Sequence, residues 1–138
     1  MTKERKQVTN VSELAAYRVT QSPGNNRTAT ILVDKQMNGA ESLAMGMSLI
    51  DPKNQIPHHI HQNEEEAKYV IKGRGIAKIE ETEYELSEES VIFCAPGTHH
   101  EILNPSDQEL CVIWVYVPPG PEASIRTMGI PTGSVKSP

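Results

Sequence analysis

From Ile56 onward, turn-forming residues divide the chain at short, regular intervals. Candidate strands fall at 56–61, 66–72, 76–80, 84–86, 91–94, 99–103 and 109–117, separated by turns at 62–65, 73–75, 81–83, 87–89, 95–97 and 104–107. Strands this short, recurring about every 8 to 12 residues, leave little room for helix and predict an all-β antiparallel sandwich or small barrel.

Upstream, Pro23-Gly24-Asn25-Asn26 reads as a turn, residues 28–33 as a strand ended by Asp34, and residues 41–50 as an alternating segment with Met45, Met47 and Leu49 on one face. Residues 11–19 fit one short N-terminal helix capped by Ser12, with Glu13 in its first turn. The tail is rich in proline, glycine and serine, which predicts an extended or disordered arm. The expected organisation is therefore a polar segment over 1–25, a β-barrel domain over 26–118 and an arm over 119–138. A chain of 138 residues suits one such domain and is short for two.

All five histidines lie in two places, at 58, 59 and 61 and at 99 and 100. Side chains alternate along a strand, so His59 and His61 share a face about 6 to 7 Å apart and can converge on one ion. Glu66 lies an odd number of residues beyond His61; a hairpin at the polar run 62–65 would return it alongside, and Glu65 is the fallback if that hairpin is one residue shorter. The turn Pro96-Gly97 precedes a strand in which either His99 or His100 can face inward, supplying a third nitrogen. Three nitrogens and one carboxylate oxygen suit one divalent ion, among iron, manganese, nickel, cobalt and zinc, with coordination positions left open for a substrate.

These two segments resemble the two motifs of the cupin superfamily. The first motif reads Gly, five residues, His-x-His, three or four residues, Glu, six residues, Gly, and is met by His59, His61, Glu66 and Gly73, with Lys53 at the opening glycine. The second reads Gly, five residues, Pro-x-Gly, two residues, His, three residues, Asn, and is met by Gly97, His100 and Asn104. Glu89 and Ala95 stand at its leading glycine and its proline, with Pro96 one place along. The resemblance spans residues 40–118 and implies a double-stranded β-helix, or jelly-roll barrel, usually a homodimer, with an ion held inside by His59, His61, Glu66 and His100. His58 and His99 have the opposite parity and are expected to face solvent or to support the ligands from behind.

If Glu66 faces the ion, period two also aims Lys68 and Val70 inward. Lys68 is the candidate catalytic residue, binding a substrate carboxylate or enolate or acting as a base, unless a bulge or a snorkelling side chain turns it out. Tyr69, Tyr84 and Tyr116 each offer a phenol, with nothing to choose among them. Met45, Met47, Phe93, Cys94, Ile102, Ile113 and Trp114 are the apolar residues available to line a pocket. Arg126 could reach back over the barrel mouth from the tail. Cys94 and Cys111 sit in apolar runs and read as small buried hydrophobes, not as a disulfide.

A net charge of −5, an aromatic content of 4% and no basic run beyond that of residues 3–6 argue against nucleic acid and anionic membrane as partners and favour a small organic substrate. No apolar stretch is long enough to span a bilayer and no secretion signal is present at residues 1–10, which predicts a cytoplasmic protein. Iron or manganese in the site, as the resemblance implies, places dioxygenation or oxidative cleavage first. Lyase, decarboxylase, isomerase and cyclase chemistry follow, and a non-catalytic small-molecule binding or sensing module is the alternative of another class.

Overall fold

The computed structural model describes residues 7–20 and 22–135. In chain order the strands are β1 (Ala16–Val19), β2 (Arg27–Val33), β3 (Ala44–Ile50), β4 (Asn54–Ile60), β5 (Glu65–Lys72), β6 (Gly75–Ile79), β7 (Thr82–Leu86), β8 (Val91–Cys94), β9 (His99–Asn104), β10 (Leu110–Val117) and β11 (Ile130–Thr132). They pair antiparallel into a seven-stranded sheet, β11-β1-β2-β3-β10-β5-β8, and a four-stranded sheet, β4-β9-β6-β7. The two sheets face one another as the double-stranded β-helix that the resemblance implies, within the antiparallel sandwich or barrel class that the turn spacing predicts.

The space between the sheets has two parts. One is closed with hydrocarbon: Ile50, Val70, Leu110 and Val112 of the larger sheet meet Ala77, Leu86 and Ile102 of the smaller one, all buried. Each such aliphatic side chain stabilises the fold by about 1.5–3 kcal/mol. The other part holds a cavity lined by Trp114, Tyr116 and Ile125, which pack with Ala29 and Ile31 in a second hydrophobic cluster. Trp114 lies over Gly46 of the neighbouring strand, where any Cβ would collide with the indole ring, and its Nε1 donates to Ser48 Oγ at 3.0 Å.

Both motif positions that lack their glycine keep a backbone suited to one. Lys53 has φ 61° and Glu89 φ 72°, in the left-handed region that a Cβ disfavours. The turn at Lys53 is held from below by Asn104, which is fully buried. Its Nδ2 donates to the carbonyls of Ile50, Asp51 and Gln108, and its Oδ1 accepts from Ser106 N and Oγ.

Two expectations are corrected. Within 11–19 only Val11–Glu13 is helical, a single 3-10 turn capped by Asn10 instead of Ser12, and 16–19 is β1. Pairing with β2 satisfies the β1 backbone and buries Ala16 and Val19, which outweighs a weak local helix preference. The tail does not remain an arm: α2 (Ala123–Met128) packs Ile125 against the cavity wall, and β11 pairs with β1. Its turn-rich composition concealed those few apolar side chains. A further short helix, α1 (Lys35–Asn38), is capped by Asp34, whose carboxylate accepts from Met37 N at 2.9 Å.

Candidate metal centre

Three strands from the two sheets bring the ligand candidates together. His59 of β4 stands opposite His100 of β9 in the smaller sheet, while Glu66 is carried by β5 in the larger one. Parity alone would not deliver His59. Ile56 pairs with Ile102 and His59 with His100, so β4 spends one residue more than β9 between these pairs, a bulge at Pro57-His58. That extra residue puts His59 on the same face as His100. His61 follows directly after β4, and its ring lies 4.7 Å from that of His59 and 5.5 Å from that of His100, centroid to centroid.

The 62–65 segment is not a hairpin. It crosses from the smaller sheet to the larger, and Glu66 therefore meets His61 across the interior instead of along a paired strand. Along β5 the alternation holds as expected: Glu66, Lys68 and Val70 point inward while Glu65, Ala67 and Tyr69 are exposed.

One donor atom from each of His59, His61, Glu66 and His100 can be chosen so that all four lie within 4.8 Å of one another. Glu66 and His100 are almost entirely buried, at 1% and 2% exposure. Burial of this kind normally demands partners. Yet His61 Nε2, His100 Nε2 and both carboxylate oxygens of Glu66 have no hydrogen-bond partner. Lys68 Nζ lies 2.6 Å and His100 Nε2 2.9 Å from Glu66 Oε1, close as charges without the alignment of a hydrogen bond. The far nitrogens are occupied: His59 Nδ1 is 2.7 Å from the Pro57 carbonyl and His100 Nδ1 is 3.0 Å from that of Thr98. A carbonyl can only accept, so each Nδ1 carries a hydrogen and each Nε2 is the nitrogen aimed at the cluster, offering a lone pair whenever its ring is neutral. Four unpartnered donor atoms converging on one point are what a divalent cation needs, and the residues fit one.

The electrostatics point the same way. Burial, helped by neighbouring His100, pushes His59 down to about 3, the neutral form in which imidazole is a ligand. Burial also lowers His61. Burial opposes the charge of Glu66, but Lys68 and His100 together hold the carboxyl well below its usual range. For His100 burial is again the largest influence and lowers its pKa; Cys94, Glu66 and the Thr98 carbonyl outweigh it and raise the imidazole to about 9. In the absence of a cation, the proton on His100 takes its place beside Glu66.

The cluster opens into a cavity of about 630 Å³, lined among others by Arg27, Ser48, Ile56, Lys68, Trp114 and Tyr116 and walled on one side by Ser124, Ile125 and Met128 of α2. Lys68 is 4% exposed and reaches the lining, so neither snorkelling nor a bulge turns it out. Of the three candidate phenols Tyr116 belongs to the site, its ring 4.9 Å from that of His61, while Tyr69 and Tyr84 are exposed. Burial and then the charge of Glu66 raise the Tyr116 phenol well above its usual value.

The apolar lining differs from the sequence expectation. Only Trp114 of the proposed set lines the cavity; Phe93 is outside, Cys94 and Ile102 are packed in the core, and Met45 and Met47 lie on the opposite face of β3 from Ser48. His58 and His99 pair with each other on the surface, Nδ1 of His99 2.9 Å from Nε2 of His58, and neither belongs to the cluster. Arg126 is not in the lining and binds Asp34. Cys94 and Cys111 are buried and unpaired. Sequence reading missed Arg27 and the α2 wall, because neither belongs to the histidine segments and only the fold carries them to the mouth.

No curated protein matches the chain. Among solved structures, a predicted oxalate decarboxylase from Thermotoga maritima superposes with a TM-score of 0.74 at 20% identity, over 82% of this chain and 100% of that one. KdgF from Halomonas sp. gives 0.65 at 17% identity, over 77% and 89%. A putative sugar phosphate isomerase from Acidithiobacillus ferrooxidans gives 0.59 at 22%, over 70% of this chain and 62% of that one. These likenesses are of fold. The cupin-domain family model matches residues 46–116, the stretch that holds every ligand candidate, Lys68 and Tyr116, and the chain therefore belongs to the cupin family.

Proposed function

We propose that the protein is a metal-dependent enzyme acting on a small oxygen-bearing organic substrate, with His59, His61, Glu66 and His100 as ligands and Lys68 as the catalytic residue. The observation that carries this reading is the placement of a buried amine 2.6 Å from Glu66, on the lining of the cavity into which the ligand cluster opens. A divalent ion held there supplies Lewis acidity to a chelated carboxylate, carbonyl or hydroxyl, and iron or manganese would add redox chemistry.

The chain's own groups determine which reaction follows. Lys68 and Tyr116 flank Glu66 on the inner face of the larger sheet, so an amine and a phenol both stand where a substrate proton would be given or taken. Trp114, Ile56 and Ile125 wall the site with hydrocarbon and limit water. Proton-transfer chemistry, as in a decarboxylase, lyase or isomerase, uses all of these parts and is the reading favoured here. The Thermotoga neighbour, a predicted oxalate decarboxylase, and the Acidithiobacillus neighbour, a putative sugar phosphate isomerase, are in keeping with it. Oxidative cleavage is the second reading, supported by the three-nitrogen, one-oxygen donor set.

Metal analysis of protein purified without chelator, followed by turnover assays on hydroxy, oxo and dicarboxylic acids with and without oxygen, tests both. Lys68→Met is expected to keep the ion and lose at least about a hundredfold in turnover, the scale of a general acid or base. Full turnover by that variant would remove Lys68 from the chemistry. An absolute need for oxygen would favour oxidative cleavage, and tight binding with no turnover would leave a binding module.

A further inference from the structure

The cavity lining carries further polar groups that are not among the ligand candidates. Arg27 opens β2 on the face that carries Ala29 and Ile31, both packed around Trp114 and Tyr116, so its side chain is directed to the interior and lines the cavity. Arg18 and Arg126 each hold a carboxylate, Asp51 and Asp34 respectively. Arg27 holds none among the described residues, and its guanidinium donates only to the Asn25 carbonyl, at 3.4 Å. Burial lowers its pKa and the Tyr116 phenol opposes that shift; Arg27, Tyr116 and Lys68 all line the same cavity. Beside it Asn25 Oδ1 is buried without a hydrogen-bond partner, on the same lining. Ser48 Oγ, which already accepts from Trp114, keeps its own proton to donate.

An unpaired, half-buried guanidinium is costly unless an anion answers it. Glu64 is the one carboxylate elsewhere on the lining, and its charge falls on His61. Lys68 is engaged by Glu66. A single fork-shaped cation with neutral amide and hydroxyl neighbours matches a planar monoanion that accepts two parallel hydrogen bonds, whereas a phosphate dianion would call for a second cation.

We propose that Arg27 is a specificity subsite for a substrate carboxylate separate from the chelating end, so that the substrate is a hydroxy or oxo acid carrying a second carboxylate. This rests on the metal-dependent reading above and narrows its substrate class.

Calorimetric titration of the full-length, manganese-loaded protein tests it with three kinds of probe. Lactate offers only a chelating end, malate and 2-hydroxyglutarate add a distal carboxylate, and 3-phosphoglycerate adds a distal phosphate. At least one dicarboxylate is expected to bind about tenfold or more tighter than lactate, the value of one charge-assisted pair. Arg27→Met should abolish that gain while leaving lactate affinity and manganese content unchanged, and Arg27→Lys should recover part of it. Equal binding of lactate and both dicarboxylates, a preference that survives Arg27→Met, or tighter binding of 3-phosphoglycerate would each overturn the proposal. A wild-type protein that takes up no manganese but keeps an Arg27-dependent preference would sink the metal reading and leave the subsite. Manganese uptake without the preference would do the reverse.

Discussion

Lys53 and Glu89 hold left-handed backbone at the two positions where the cupin motifs carry glycine. For a residue with a Cβ that conformation costs about 1–2 kcal/mol. Glu89→Gly is therefore expected to raise the melting temperature by a few degrees, as part of that cost is returned and part is offset by the more flexible unfolded chain. The gain should be smaller for Lys53→Gly, because Lys53 Nζ donates to the Pro105 carbonyl at 2.7 Å and lies 3.4 Å from Asp107. Differential scanning calorimetry on the two variants checks the order. His100 carries a second residue-scale prediction. Its imidazole, raised to about 9 against the pull of burial, holds a proton at neutral pH that an arriving ion must displace. Metal affinity should accordingly climb by up to about tenfold per pH unit from about pH 7 and level off near pH 9, with one proton released per ion. Calorimetry in buffers of different ionisation enthalpy counts that proton; a pH-independent affinity would show that His100 is already neutral. Residue chemistry was the most legible part of the sequence. The confinement of the histidines to two segments marks the site, and Glu66 and Lys68 in period two mark the inner face of their strand, because strand alternation is a local property. Arg27 was not legible, since an arginine opening a strand carries no sign of the face on which it will find no partner.

At the level of elements the strands from 56 to 117 followed from turn residues, whereas the connection between β4 and β5 did not. Polar residues at 62–64 mark a break in either geometry, and nothing local distinguishes a hairpin from a crossing between sheets. The bulge at Pro57-His58 is likewise silent in the sequence until the β9 register is known. Helix α2 is the element whose role is most open to experiment. It is fastened by Arg126 to Asp34, by Ile125 against Trp114 and Tyr116, and by the three-residue pairing of β11 with β1. The Arg126–Asp34 pair is partly exposed on its arginine side, so its loss should cost little global stability, on the order of 1 kcal/mol. It should matter more locally. Arg126→Ala is expected to speed amide exchange within 123–132 several-fold while exchange in β5 and β10 stays slow, as hydrogen-exchange mass spectrometry would show. Equal acceleration throughout would mean that α2 is not a separable unit.

At the scale of the whole molecule, an apolar patch on the larger sheet lies uncovered among the described residues. On the outer face of the larger sheet Tyr69 pairs with Val91 and Ala67 with Phe93, and Val91 and Phe93 are 74% and 59% exposed on β8, the edge strand. An edge strand bearing such a patch invites a second copy. Sedimentation is expected to find a dimer for the native protein and a shift toward monomer for Phe93→Glu, with metal content unchanged; an unshifted dimer would place the contact elsewhere. The division of labour along the chain has a broader consequence. The four ligand candidates and Lys68 come from 59–100, but the wall of the cavity at α2 comes from residues beyond 120, and Arg27 from before the barrel's motif region. Changes to these flanks could therefore redirect which molecules are admitted while the ion cradle stays intact, so that one inorganic centre could serve many different organic guests.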